Sequence, residues 1–352
     1  MALGMATLWR ERRRTDDARR HEREALRFTF AISDEVAGRA LARIAAPGRP
    51  PAGDDEGLCR RALGYYEGLA SRYRSDPEMI AIAAAAEHRA GFLRTILREP
   101  GAEASYRRSV GLYDAIIAAR PDDPAPRVER SVVLVDHAIH VRATRGSPAA
   151  LPIDREVLAA RQEIVERFPE PADYRISLAL TLDEVVALLD RAGRGAEAEA
   201  LRSRLEAAYE AAIARSPNHT RLLNNLAWAL ARRPGRSSRD SARAVTLAER
   251  AVALGPTAGA AWNTLDVARY RAGDWAGALK ALDESCRRRG GGDPFDRLPA
   301  AMARWRLGDR ATARALFDRS RAWIDSHPDP GPDLARSFAE AARRIGRRSA
   351  RP

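Results

Sequence analysis

Cysteine and aromatic residues are scarce in this sequence of 352 residues, and both shortages limit what it can be. The two cysteines, Cys59 and Cys286, are far apart and in no metal-like or redox spacing, which excludes a disulfide framework and gives no support to a zinc site. Aromatic residues make up only 6%, whereas alanine, leucine, arginine and glutamate, which favour helices, are abundant. The composition therefore predicts helices and almost no strand.

Lysine is nearly absent, since Lys280 is the single one, so the formal net charge of +12 rests almost entirely on arginine. Arginines clustered on one face would favour a nucleic-acid interface. Here they are spread along the predicted helices, usually beside glutamate or aspartate. We therefore expect a solvated surface of ion pairs and no nucleic-acid partner, with a nucleic-acid-associated basic helical repeat protein as the alternative.

The apolar stretch at the N-terminus, MALGMATLWRERRR, is too short to span a bilayer, because a transmembrane helix needs about 20 apolar residues. Its apolar start and basic continuation are the reverse of a secretory signal. Residues 1–46 are predicted to form a basic N-terminal helix, which is typical of the flank of a transmembrane helix preceding Met1. We expect a cytoplasmic protein for the sequence as given, with membrane association through such an upstream helix as the alternative.

Motifs that carry chemistry are missing. There is no HExxH, no nucleophile elbow and no glycine-rich loop ending in GK[ST]. His137 and His140 share one helical face, but two ligands do not make a metal site, and ordinary interhelical or surface histidines are expected. The run CRRRGGGDPFD follows a helix and is interpreted as a turn between repeats. The sequence therefore predicts no enzymatic activity, no catalytic residue, no metal and no cofactor.

An internal repeat organises the C-terminal half. Small residues recur at intervals of 34 and 35 positions: Ala244, Ala278 and Ala313 form one series, and Ala251, Ser285 and Ser320 form another. In a tetratricopeptide unit these positions let the second helix of a hairpin pack closely, and a glycine-aspartate turn joins the two helices. The predicted fold class is all-α, a right-handed α-solenoid of tetratricopeptide-type helical hairpins.

Upstream the repeats degrade, but proline recurs after apolar helical stretches and marks junctions between helices. Helical hairpins are predicted at about 55–97, 101–145, 151–192 and 195–233. These give a region of degenerate helical-hairpin repeats at 55–215. Regular tetratricopeptide repeats with a capping helix are predicted at 219–347.

A resemblance to a known protein family rests on four stretches of the C-terminal half: LLNNLAWALARRP, DSARAVTLAERAVAL, AWNTLDVARYRAGDWAGAL and RWRLGDRATARALFDRSRAWI. They resemble the C-terminal repeat region of planctomycete-type serine/threonine protein kinases, and the match covers a little over a third of the chain. No kinase glycine-rich loop, His-Arg-Asp or Asp-Phe-Gly is present, so the resemblance implies no phosphoryl transfer. Asp266 departs from the unit, where glycine is usual; we expect it to alter local packing or to point outward.

The first helix of each tetratricopeptide unit lines the concave surface of the array. Asparagine and arginine there can hold a peptide backbone or a carboxylate, and aromatic residues supply apolar anchors. The alternative is that the asparagines bridge neighbouring helices and the aromatic residues fill gaps between repeats. We expect a non-catalytic scaffold that binds a partner peptide or helix through Arg221, Asn224, Asn225, Trp228, Asn263, Tyr270, Arg271, Trp305 and Arg306.

Overall fold

The computed structural model describes residues 24–25, 53–233, 237–290, 294–327 and 332–345. Across these residues the regular secondary structure is entirely helical, with fourteen long helices and no strand. This confirms the all-α fold class. The predicted N-terminal helix at 1–46 lies outside the described residues except for the helical pair Glu24 and Ala25.

The chain divides into two compact units, Met1–Pro169 and Glu170–Pro352. In the first unit each helix packs against the next along the chain. Its helices are α1 (Asp54–Tyr73), α2 (Ile80–Leu97), α3 (Ala102–Ala119), α4 (Pro124–Arg145) and α5 (Ser147–Arg167). The predicted domain boundary between 215 and 219 stays a prediction.

The second unit contains the regular repeats. Its helices are α6 (Ala172–Arg191), α7 (Gly195–Arg215), α8 (Thr220–Arg232), α9 (Ser238–Leu254), α10 (Gly259–Ala272), α11 (Trp275–Arg289), α12 (Pro294–Arg306), α13 (Arg310–Asp325) and α14 (Pro332–Ile345). The main hairpins are α6–α7, α8–α9, α10–α11 and α12–α13, and α14 packs on α12 and α13. The segment predicted to be a capping helix forms α14, and its capping role stays a prediction.

The repeat positions lie in the core of these hairpins. Both series of small residues, at 244, 278 and 313 and at 251, 285 and 320, are fully buried, with an exposed fraction of 0%. The Ser285 hydroxyl donates a hydrogen bond to the Gly259 carbonyl oxygen at 3.0 Å, which joins α11 to α10. Small side chains at a helix crossing let the two backbones come close, so the period read from the sequence is confirmed in the packing.

The glycine-aspartate turns also form as predicted. Gly273 and Gly308 both have φ of +90°, a left-handed conformation that ends the first helix of a hairpin. The next residue begins the second helix: the Asp274 carboxylate accepts a hydrogen bond from the backbone N–H of Gly277 at 2.8 Å. Asp309 does the same for the backbone N–H of Thr312 at 3.2 Å.

Helix pairing differs from the prediction upstream of the regular repeats. The helices expected at 151–192 and 195–233 exist, but α5 packs on α4 and α6 packs on α7. The reason lies at Gly146, which has φ of +83° and is the single residue between α4 and α5. Such a short connection makes adjacent helices pack together, and the prolines do not reveal it.

The histidines of α4 lie between helices in the first unit. The His137 ring stacks on the fully buried Tyr106, with ring centroids 5.6 Å apart, and the Nδ1 of His140 is 3.0 Å from the Thr95 hydroxyl. Burial lowers the pKa of His137. Among the described residues, no group of three or more histidine, cysteine, aspartate or glutamate side chains is placed to hold a metal. These are interhelical histidines, as expected.

Asp266 does not point outward, so that part of the expectation was wrong. Its exposed fraction is 1%, and one of its carboxylate oxygens, Oδ2, has no hydrogen-bond partner in the described part of the chain. Burial, reinforced by the charge of Asp296, raises the pKa of Asp266 well above its usual range. Asp296 is itself buried and pairs with Arg289. Two carboxyl groups therefore lie inside the protein, and one of them, Asp266, stands where a repeat ordinarily has glycine.

The left-handed turn at Gly273 gives a stability prediction. Gly273→Ala places a side chain at φ of +90°, so we expect the free energy of unfolding to fall by about 1 kcal/mol. Gly111→Ala is the matched control, because Gly111 is inside α3 with open space around an added Cβ. That change should raise the free energy of unfolding by up to about 1 kcal/mol. Urea unfolding followed by circular dichroism measures both, and shifts of the same sign would contradict the assignment.

Candidate protein-interaction surface

The nine predicted groove residues all lie on first helices of hairpins in the second unit, on α8, α10 and α12. They differ in exposure. Arg221 and Arg306 are exposed, and Tyr270 is buried. The others are half-buried: Asn224, Asn225, Trp228, Asn263, Arg271 and Trp305. The contacts of these side chains place several of them in one of two groups.

The side chains of the first group contact α14 and hold it in place. Both terminal nitrogens of the Arg271 guanidinium donate to the Glu340 carboxylate, with Nη2 at 2.6 Å from Oε2. The Tyr270 hydroxyl accepts a hydrogen bond from Arg344 and is also hydrogen-bonded by Arg306. These contacts hold α14 on the end of α10, so Tyr270 and Arg271 already have partners within the chain.

The second group is on α8 and belongs to a polar network with α6 and α7. The Asn224 side-chain amide donates to the Asn225 side-chain oxygen at 3.2 Å, and Asn225 hydrogen-bonds the Tyr209 hydroxyl. Tyr209 in turn donates to Asp183 at 3.1 Å. The side-chain oxygen of Asn224 is buried with no hydrogen-bond partner among the described residues. An unmet acceptor of this kind costs free energy until a donor reaches it.

A cavity of about 300 Å³ opens beside this network, between α6, α7 and α8. Its apolar lining is formed by Val186, Ala187, Leu205, Ala229 and the ring of Trp228. Its charged lining consists of Asp183, Asp190, Arg191, Arg202, Glu206, Arg232 and Arg233. Of the nine predicted groove residues, Trp228 is the one that lines the cavity. This volume is at the lower end of the range for ligand pockets.

Most of the charge in the cavity wall is paired. The Arg202 guanidinium binds both oxygens of Asp190, at 2.8 and 2.7 Å. Arg233 donates to Glu206 at 2.7 Å, and the Arg232 guanidinium lies over the Trp228 ring, 4.8 Å from its centroid. These contacts hold the arginines in place around the opening, which gives the cavity a fixed shape.

Asp183 is the exception in the cavity wall. Burial raises the pKa of its carboxyl from 3.8 to about 6, although the hydroxyl of Tyr209 and the charge of Arg232 act in the opposite direction. A carboxyl group that has lost its hydration but keeps one hydrogen bond is a ready acceptor for a donor brought by a ligand. The cavity thus combines one large aromatic wall with a few polar groups, which is typical of a binding site.

The repeat period does not reveal the cavity, because two of its three helices, α6 and α7, lie before the regular repeats that begin at residue 219. Asp183 and Asp190 are seven residues apart, two turns along one face of α6, and their spacing was a usable signal. Arg202 on α7 could not be found in this way. Its contact with Asp190 depends on which helices pair, and the pairing of α6 with α7 was not predicted.

No protein-family model matches the sequence, and no curated protein matches it. Several solved structures are similar at low identity. PilW, a type IV pilus biogenesis factor, has a TM-score of 0.46 at 13% identity, over 72% of this chain and 97% of that one. YrrB, a TPR protein with an unusual peptide-binding site, has a TM-score of 0.44 at 14% identity, over 65% and 97%.

A tetratricopeptide repeat protein from Parabacteroides merdae has a TM-score of 0.46 at 10% identity, over 73% of this chain and 86% of that one. Identities and TM-scores this low say nothing about what this chain binds. In the described part of the chain, no helix is both long and apolar enough to cross a membrane.

The raised pKa of Asp183 gives a pH-dependent prediction. The folded pKa, about 6, lies above 3.8, so the folded state holds more protons between these values and loses stability as pH rises through that window. Asp183→Asn cannot ionise and can still accept the Tyr209 hydrogen bond. We expect it to be more stable than the parent by roughly 1–3 kcal/mol at pH 7.5, with no difference below about pH 4.

Thermal unfolding across this pH range measures the difference. Asp122→Asn is the control, because the Asp122 side chain is 98% exposed and its substitution should leave the pH profile of stability unchanged. A stability difference for Asp183→Asn that is the same at every pH would show that the carboxyl is not desolvated.

Proposed function

We propose that this protein is a non-catalytic interaction scaffold that binds a peptide or helix of a partner protein on the second unit, with the cavity beside Trp228 as its anchor site. The cavity is the observation that carries this proposal. A preformed hollow of about 300 Å³ with an aromatic wall accepts one large side chain of a partner. The paired arginines of its wall need no anionic ligand to neutralise them.

The polar groups next to the cavity suit a peptide main chain. A peptide offers backbone N–H donors at regular spacing, and Asp183 in the cavity wall can accept one of them. Asn224 supports this acceptor from behind, through Asn225 and the hydroxyl of Tyr209. In this arrangement the cavity selects a side chain and the network holds the segment that carries it. No cofactor takes part.

We further propose that the scaffold belongs to a signalling protein. The resemblance of residues 219–347 to the repeat region of planctomycete-type kinases supports this setting. Because the kinase motifs are missing from this sequence, we assign the chain the role of the sensing or scaffolding part. Such a part recruits a partner and leaves phosphoryl transfer to another domain or chain. We place the scaffold in the cytoplasm, with attachment through an upstream transmembrane helix as the alternative.

Partner capture tests the proposed site. Immobilised parent chain is compared with the double variant Asn224→Ala, Trp228→Ala in host lysate at about 150 mM salt, which screens exposed charges beyond about 8 Å. We expect a protein that the parent retains to be reduced at least tenfold on the double variant, because an aromatic anchor carries much of the binding energy.

Trp262→Ala is the matched control, since Trp262 is a half-buried tryptophan on α10 with Arg288 over its ring, and it does not line the cavity. It should retain the partner like the parent. Equal retention by all three chains would place binding elsewhere. Retained material that is nucleic acid and washes off with salt would favour the basic charge of the chain over the cavity.

A further inference from the structure

The turn between α12 and α13 carries an unusual concentration of basic and aromatic side chains. Residues 304–314 contain four arginines and one aspartate. The aspartate, Asp309, is already engaged, because it caps α13 and lies 3.2 Å from the guanidinium of Arg304. Three arginines beside the turn have no carboxylate partner among the described residues, and all three are exposed: Arg306, Arg310 and Arg314.

These three guanidiniums are held by tryptophan rings. Arg310 lies over the Trp305 ring, 3.9 Å from its centroid, and Arg314 lies 5.6 Å from the same centroid. Arg306 lies over the Trp275 ring at 5.4 Å. Both rings pack against one hydrophobic cluster, so they are fixed. Arg310 also donates from Nη1 to the Trp305 carbonyl oxygen at 2.6 Å, and Arg306 hydrogen-bonds the Tyr270 hydroxyl. The remaining N–H groups of each stacked guanidinium can bind a carboxylate, and little side-chain entropy is lost on binding.

Arginines elsewhere in the described chain are mostly paired with carboxylates. Arg130 on α4 is bound by both Asp114 and Glu156, at 2.6 and 2.7 Å. No carboxylate of the described residues lies within 4.0 Å of the guanidinium of Arg306, Arg310 or Arg314. This turn is therefore a local excess of positive charge with room for acidic groups from outside the chain.

An apolar side chain completes the surface. Leu307 lies between Arg306 and Gly308 in the turn, and 49% of it is exposed. Nucleic acid favours a long stripe of basic residues that follows many phosphates, and it gains little from an exposed leucine. A protein segment that combines carboxylates with an apolar side chain matches both features of the turn.

We propose that the α12–α13 turn, formed by Arg306, Leu307, Arg310 and Arg314 on the rings of Trp275 and Trp305, is a second docking surface, and that its partner is an acidic protein segment containing a large apolar residue. Glutamate or aspartate side chains bind the edges of the stacked guanidiniums, and the apolar residue covers Leu307. This surface is separate from the cavity between α6, α7 and α8.

Fluorescence anisotropy with defined probes tests this assignment. The first probe is a labelled peptide with a central leucine flanked by glutamates, the second has glutamine in place of each glutamate, and the third is a labelled single-stranded oligo-dT of similar length. At about 150 mM salt we expect the parent to bind the glutamate peptide at least tenfold more tightly than either of the other probes.

The patch variant Arg306→Gln, Arg310→Gln, Arg314→Gln should lose this preference. The control variant Arg60→Gln, Arg107→Gln, Arg243→Gln removes the same charge from exposed arginines that each have a carboxylate partner, and it should bind like the parent. Leu307→Ser keeps all the arginines and changes only an exposed side chain, so it should fold normally and weaken the glutamate peptide severalfold. Trp228→Ala should have no effect, which separates this surface from the cavity.

Two outcomes would overturn the proposal. Equal loss in the patch and control variants would mean that net charge alone attracts the peptide. Tighter binding of the oligonucleotide, lost in the patch variant, would identify a nucleic-acid site instead. Circular dichroism of each variant establishes that it is folded, and if the patch variant does not fold, unchanged binding by Leu307→Ser would itself overturn the proposal.

Discussion

The close approach of the two helices in each C-terminal hairpin is the contact on which the second unit depends. At Ala244, Ala278 and Ala313 the side chain is a single methyl group with no exposure. A larger residue there would force the helices apart, because protein interiors are packed too densely to absorb the added volume. In the α10–α11 and α12–α13 hairpins a glycine-aspartate turn joins the two helices that meet at this contact.

That constraint also explains how much the sequence could reveal. A small residue that recurs every 34 or 35 positions can be recognised in the sequence, and so can the turn that needs glycine at φ of +90°. The pairing of α4 with α5 was not visible, because it depends on a one-residue connection at Gly146. The cavity could not be predicted for the same reason, because its wall depends on the pairing of α6 with α7, where Arg202 of α7 binds Asp190 of α6.

The nine residues proposed from the repeat pattern share a helical position but not a chemical environment. Their placement on first helices could be predicted, because the repeat period locates those helices in the sequence. Their partners could not, since Arg271 meets Glu340 across 69 positions of sequence and only the placement of α14 brings the two together. Trp228 differs because its neighbours on α6 and α7 leave a hollow beside it. Whether such a residue faces solvent is decided by elements that the repeat pattern does not contain.

The buried carboxyl of Asp266 has a consequence for the stability of the array. In a repeat protein, stability is roughly the sum of terms for single repeats and for the seams between them. At Asp266 this sum includes an electrostatic cost, because a carboxyl group is kept from water near the charge of Asp296, and only Asp296 has an arginine partner in Arg289. A carboxyl pair at such a contact offsets part of the stabilisation that the Arg271–Glu340 ion pair gives to the same end of the array.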